Sequence, residues 1–157
     1  MKMKYYILLL CILFSHCKLP NKMEQSPFKI HAFRLKPGAD LRKSIQAYIN
    51  EHNIQAGYII TCVGSLTQTH LRYANQPGGT QLNGFFEIVS LVGTVSISGS
   101  HLHLSISDST GKTIGGHLLE DNLVYTTAEI VIGESKNLLF TREKDGTTPW
   151  EELQIKN

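Results

Sequence analysis

His101-Leu-His-Leu-Ser-Ile-Ser-Asp-Ser-Thr-Gly-Lys-Thr-Ile-Gly-Gly-His-Leu118 decides how this chain is read. Alternate side chains of a strand share a face. Leu102, Leu104 and Ile106 therefore form an apolar face, and His101, His103, Ser105 and Ser107 form the other. Ser109-Thr110-Gly111 has the chemistry of a three-residue hairpin loop, with Gly111 at the left-handed position. Asp108 then pairs with Lys112, and counting back sets His103 opposite His117. Cross-strand neighbours carry Cβ atoms about 4.5–5.5 Å apart, and His101 lies two residues along the same face. Three imidazoles are expected to converge.

The flanking sequence supplies the rest of a sheet. Gly84 to Ile97 is a long apolar run with a bend expected at Gly93, and Ser98-Gly99-Ser100 turns the chain into the histidine strand. Upstream, Tyr58 to Val63 reads as a buried strand. Thr67 to Ala74 reads as another, with Gln68, His70 and Arg72 on one face, ahead of a Gln76-Pro-Gly-Gly79 loop. Lys29 to Lys36 alternates with His31, Phe33 and Leu35 on one side. Asp40 is an N-cap for an amphipathic helix over residues 41–52, marked by Leu41, Ile45, Tyr48 and Ile49. Lys112 to Leu119, Val124 to Ile132 and Leu138 to Lys144 complete the sheet. The fold class is α+β: a mostly antiparallel sheet of about seven strands with a flanking helix, one domain over residues 28–157.

The beginning of the chain differs in kind. Lys2 and Lys4 precede a nearly unbroken apolar run from Tyr5 to Phe14. That run is shorter than the roughly 20 residues needed to span a bilayer, and it suits a secretory signal. Residues 1–16 are read as a signal peptide and 17–27 as a tether. Cys17, in Leu13-Phe-Ser-His-Cys17, stands at the position of a lipid acceptor in a loose lipobox. The expected location is the cell envelope, as a membrane-anchored lipoprotein or in the periplasm. Cys11 leaves with the signal, and Cys62 sits in an apolar strand as a small hydrophobe. The chain holds 15 basic and 13 acidic residues; loss of Lys2 and Lys4 leaves 13 of each. That balance lacks the basic excess of a nucleic-acid binder.

Three neutral imidazoles suffice to hold Zn²⁺ or a similar divalent ion with one position left open, where a small-molecule ligand has room. Ligand type alone admits copper, iron and nickel as well. The competing reading is three polar residues on a wetted face. Glu87, between Phe86 and Ile88, is costly if unpaired, so it is expected either to pair with Arg72 or to orient a metal-bound histidine. Glu129 raises the same question. No phosphate-binding glycine loop, serine-nucleophile elbow or paired-cysteine metal motif is present, and no residue is assigned a catalytic role.

Val63-Gly-Ser-Leu66, Leu71-Arg-Tyr-Ala74, Gly84-Phe-Phe-Glu-Ile-Val-Ser-Leu91, His101-Leu-His-Leu104 and Gly115-Gly-His-Leu118 together resemble the PPC domain (plants and prokaryotes conserved, DUF296), over about residues 28–145. The resemblance implies an antiparallel sheet with flanking helices, assembled as a homotrimer. In plants the domain follows DNA-binding AT-hooks, and DNA binding attaches to the family by that association. This chain has no Arg-Gly-Arg-Pro hook, and Phe85 replaces the arginine of the plant Gly-Arg-Phe-Glu-Ile motif. Asp121 stands where a glycine is usual. The three histidines belong to the prokaryotic pattern. The sequence thus favours a trimeric metal-binding envelope domain. The alternatives are an assembly or protein-interaction module without metal and, by family name, a DNA-binding protein.

Overall fold

The computed structural model describes residues 28–157. The signal segment 1–16, Cys17 and the tether to residue 27 lie outside the described residues. The elements are β1 (Phe28–Leu35), α1 (Leu41–Glu51), β2 (Gly57–Arg72), β3 (Thr80–Ser96), β4 (Gly99–Ser107), β5 (Thr113–Leu118), β6 (Leu123–Ser135), β7 (Leu139–Glu143) and β8 (Glu152–Lys156). Six strands form one sheet in the order β1-β6-β2-β3-β4-β5, with every pairing antiparallel. The end of β2 also pairs with β5, through Leu71↔Leu118 and Arg72↔His117. Strands β2, β3, β4 and β5 therefore close into a ring.

The α+β class and the antiparallel sheet stand as expected, with two corrections. Tyr58 to Val63 and Thr67 to Ala74 are not separate strands but parts of the single β2. The register slips between Gly64 and Leu66 and again between Leu66 and Gln68, which bends the strand without ending it. Leu138 to Lys144 does not complete the main sheet either. Its β7 pairs with β8 in a separate two-stranded sheet.

Helix α1 forms as its sequence dictates. Asp40 Oδ1 accepts a hydrogen bond from the Lys43 N–H at 2.9 Å, satisfying one of the helix's free donors. Leu41, Ile45 and Ile49 are fully buried and join Ile59, Cys62, Leu91, Val95, Ile130 and Ile132 in one apolar cluster. Each such aliphatic side chain stabilises the fold by about 1.5–3 kcal/mol. Burial pushes the Cys62 thiol up to about 12, which keeps it inert.

The face of the sheet away from α1 is apolar yet open. Ile30 and Tyr58 lie in one cross-strand row with Gly133 between them. Phe28 stacks on Tyr58 at 5.9 Å between centroids, and Phe85 meets Tyr125 at 4.7 Å. Ile30 is 60% exposed and Phe85 62%, and Ile60, Val63 and Val89 are exposed beside them.

Candidate metal centre

The β4–β5 hairpin has the register its turn chemistry dictates. The Asp108 N–H donates to the Lys112 carbonyl at 3.0 Å, and the Gly111 N–H donates back to the Asp108 carbonyl at 2.9 Å. Gly111 has φ +83°, the left-handed conformation the loop requires. Asp108 Oδ1 accepts from the Thr110 and Lys112 amides at 2.8 and 3.1 Å, which locks the turn. His103 accordingly lies opposite His117. Leu102, Leu104 and Ile106 are buried on the reverse face and anchor the strand.

The three imidazoles meet. Ring centroids are 5.0 Å apart for His101–His103, 5.1 Å for His101–His117 and 5.7 Å for His103–His117. One ring nitrogen from each lies within 4.8 Å of the others. His101 Nε2 and His103 Nε2 are 3.2 Å apart. Two nitrogens on a tetrahedral ion at about 2.0–2.1 Å are separated by roughly 3.3–3.4 Å, so that pair already stands at the spacing of ligands. His117 Nδ1 is buried without a hydrogen-bond partner. An orphaned buried nitrogen costs free energy unless something else satisfies it. The donor set and its spacing fit a divalent ion.

Electrostatics favours the neutral, ligating form. His117 is lowered to about 4, first by burial and then by the nearby charges of His101 and Arg72. His101 is lowered as well, by burial first, then by His103 and Arg142. Metal binding needs the unprotonated nitrogen, so both shifts leave the ligands ready at neutral pH.

Arg72 and Glu87 are not brought together. Arg72 sits opposite His117 at the β2–β5 junction, with its Cζ 5.1 Å from the centroid of the Trp150 ring. Glu87 faces outward, opposite Ser65 and Ser107, four residues along β4 from His103. Among the described residues it makes neither an ion pair with Arg72 nor a hydrogen bond to a histidine ring. Glu129 is likewise exposed, opposite Val63 and Arg34. Three residues that sequence reasoning did not single out reach the site: Arg42 from α1, Arg142 from β7 and Trp150 ahead of β8. The Arg142 Nη2 donates to Thr94 Oγ1 at 2.6 Å, and Thr94 lies opposite His101. Only the packing of the β7–β8 hairpin against the sheet places it there.

Comparison with known proteins adds three relatives and a family. The Plants and Prokaryotes Conserved (PCC) domain matches residues 22–136. A Synechococcus sp. (strain JA-2-3B'a(2-13)) protein called bifunctional protein GlmU is 41% identical over 136 residues. The match takes in 87% of this chain but 22% of that protein, so the chain spans about a fifth of the curated relative's length. A solved structure of a hypothetical protein from Salmonella cholerae-suis superimposes with a TM-score of 0.81 at 40% identity, covering 83% of this chain and 95% of that one. The metal-containing protein AF0104 from Archaeoglobus fulgidus superimposes with a TM-score of 0.71 at 26% identity, covering 84% and 99%.

Proposed function

The chain belongs to the Plants and Prokaryotes Conserved domain family, and from that premise we propose an exported, lipid-anchored homotrimer that binds one divalent metal ion, zinc, per subunit through His101, His103 and His117. The observation that carries the metal reading is the convergence of three ring nitrogens within 4.8 Å, one of them buried and unpartnered. The description of the archaeal relative as metal-containing supports it. Zinc is the choice because three imidazoles and one open position make a familiar tetrahedral zinc set. The test is elemental analysis of purified protein incubated with zinc and dialysed. One zinc per chain is expected in the wild type and none in His103→Ala, whose fold should persist because Leu102 and Leu104 carry the packing. Wild-type protein that retains no zinc would end this reading.

The trimer is supported by the open apolar face of β1, β6, β2 and β3, which two further copies of the chain would cover. That face also favours a second reading, an assembly module whose histidines are incidental. Trimer retained in wild-type protein that takes up no metal would select it. Export and anchoring rest on the order of Lys4, the apolar run, Ser15 and Cys17. Mass spectrometry of the native protein should find an acylated N-terminus at Cys17; intact Met1 would refute it. For DNA binding, the balance of 13 basic against 13 acidic residues beyond the signal offers no excess charge toward phosphate.

A further inference from the structure

The side of the histidine cluster that faces the β7–β8 hairpin carries more basic than acidic side chains. Arg42, Arg72 and Arg142 line one open cleft of about 510 Å³, with His101 and His117 in its wall. Lys43, Lys136 and Lys156 pair with carboxylates, whereas none of these three arginines makes an ion pair among the described residues. Two of the three are held in place. Arg142 is half-buried and tied to Thr94 at 2.6 Å, which sets its fork beside His101. Arg72 rests against Trp150 beside His117. The acids of the cleft are Glu151 and Glu152; Glu152 accepts from the Thr148 hydroxyl at 2.6 Å, keeps its charge, and lies near enough to Arg142 and His101 to act on both. Three arginines against two glutamates leave one positive charge, and neutral imidazoles do nothing to offset a divalent ion.

We infer that this cleft binds a small organic acid, its carboxylate gripped by Arg72 and Arg142 with Arg42 at the rim. The inference rests on the metal reading above, since the ion supplies the rest of the attraction. Guanidinium forks match a carboxylate bidentately. A volume of about 510 Å³ lies in the range of about 300–1,000 Å³ typical of small-molecule sites, well beyond a bare inorganic anion. Pro77, Leu119 and Trp150 offer apolar wall to a carbon skeleton. Arg142 and Trp150 reach the cleft on the C-terminal hairpin, past residue 136 where the family match ends, while Arg42 and Arg72 lie within that match.

Trp150 is the only tryptophan of the chain, so its fluorescence reports on this cleft. Succinate titrated into zinc-loaded protein should change that fluorescence saturably, while neutral succinamide should not. Arg142→Gln should weaken succinate by about tenfold or more, as expected for loss of charge-assisted hydrogen bonds, with zinc content unchanged. If that variant sheds zinc or misfolds, Arg42→Gln carries the same test from another element, with a smaller loss. Protein that holds one zinc yet leaves Trp150 unmoved by about 10 mM succinate, far above ordinary dissociation constants, overturns this inference and spares the metal. Inorganic phosphate binding as tightly as succinate overturns the organic-acid assignment. Protein without zinc on the same preparation overturns the metal reading, and this inference with it.

Discussion

Alanine at Gly93 should disable the proposed metal centre without altering any of its three histidines. Gly93 has φ +144° and lies opposite Leu102, beside His101. A Cβ built there meets the His101 carbonyl oxygen at 1.9 Å and its carbon at 2.9 Å. Real Cβ contacts do not fall below 3.0 Å, so the His101 backbone must retreat by about 1 Å. Metal ligands tolerate distance errors of only about 0.2 Å, and a functional geometry about 0.5 Å. The strained conformation alone costs about 1–3 kcal/mol. Gly111→Ala is the control, because Gly111 also has positive φ, at +83°, but nothing lies within 4 Å of its added Cβ. Both variants should lower the urea midpoint at equal protomer concentration, Gly93→Ala more. Only Gly93→Ala should lose zinc to a chromophoric chelator at concentrations the wild type withstands. Wild-type zinc retention in Gly93→Ala, with its fold intact, would refute the argument that β3 sets the position of His101.

Three further outcomes are expected. With the metal removed, His117 takes up its proton later in the folded protein, at about 4, than in the unfolded chain near 6.5. Stability should therefore fall as pH drops through that window, read as the urea midpoint of the apoprotein; a rise on acidification would contradict the burial of this ring. Asn122→Ala should destabilise by about 2–4 kcal/mol in denaturant titration. The wild-type side chain, fully buried, accepts from Thr69 Oγ1 at 2.8 Å and the His70 N–H at 2.9 Å, and donates to the Leu119 carbonyl at 2.7 Å. Phe85→Asp, on the open apolar face, should shift sedimentation equilibrium from trimer to monomer while leaving one zinc per chain.

The hairpin was legible because two local rules agree. Period two fixes which residues share a face, and Asp108 and Gly111 fix the loop, so the register of His103 and His117 follows within one short segment. Helix α1 was legible for the same reason, through Asp40 and the spacing of Leu41, Ile45 and Ile49. Reading failed where long-range packing decides. Gly64-Ser65 looks like a strand break, yet β6 runs past it and holds β2 as one strand. Arg72 looks like a partner for Glu87 because a carboxylate between Phe86 and Ile88 is costly if unpaired. Only the closure of β2 onto β5 reveals that it belongs beside His117. Glu87 is exposed on the outer face of the chain, opposite Ser65 and Ser107 and not beside Arg72. Arg142 and Trp150 gave no signal of their own, since a hairpin's own sequence does not say which surface it will pack against.

The contrast between the β4–β5 pairing and the β1–β6 pairing sets the order in which the chain can assemble. The hairpin joins residues 103 and 117, whereas β1 must find β6 across the span from Phe28 to Ser135. Loop closure slows with sequence separation, and an isolated hairpin forms in about 1–10 μs. The ligands therefore gather early, while the opposite edge of the sheet is still open. On the proposed metal reading, an ion captured at that moment would act as a nucleus around which later strands condense. Pulsed hydrogen exchange during refolding with zinc should protect the amides of 102–116 before those of 29–35; the reverse order would exclude the hairpin as the seed.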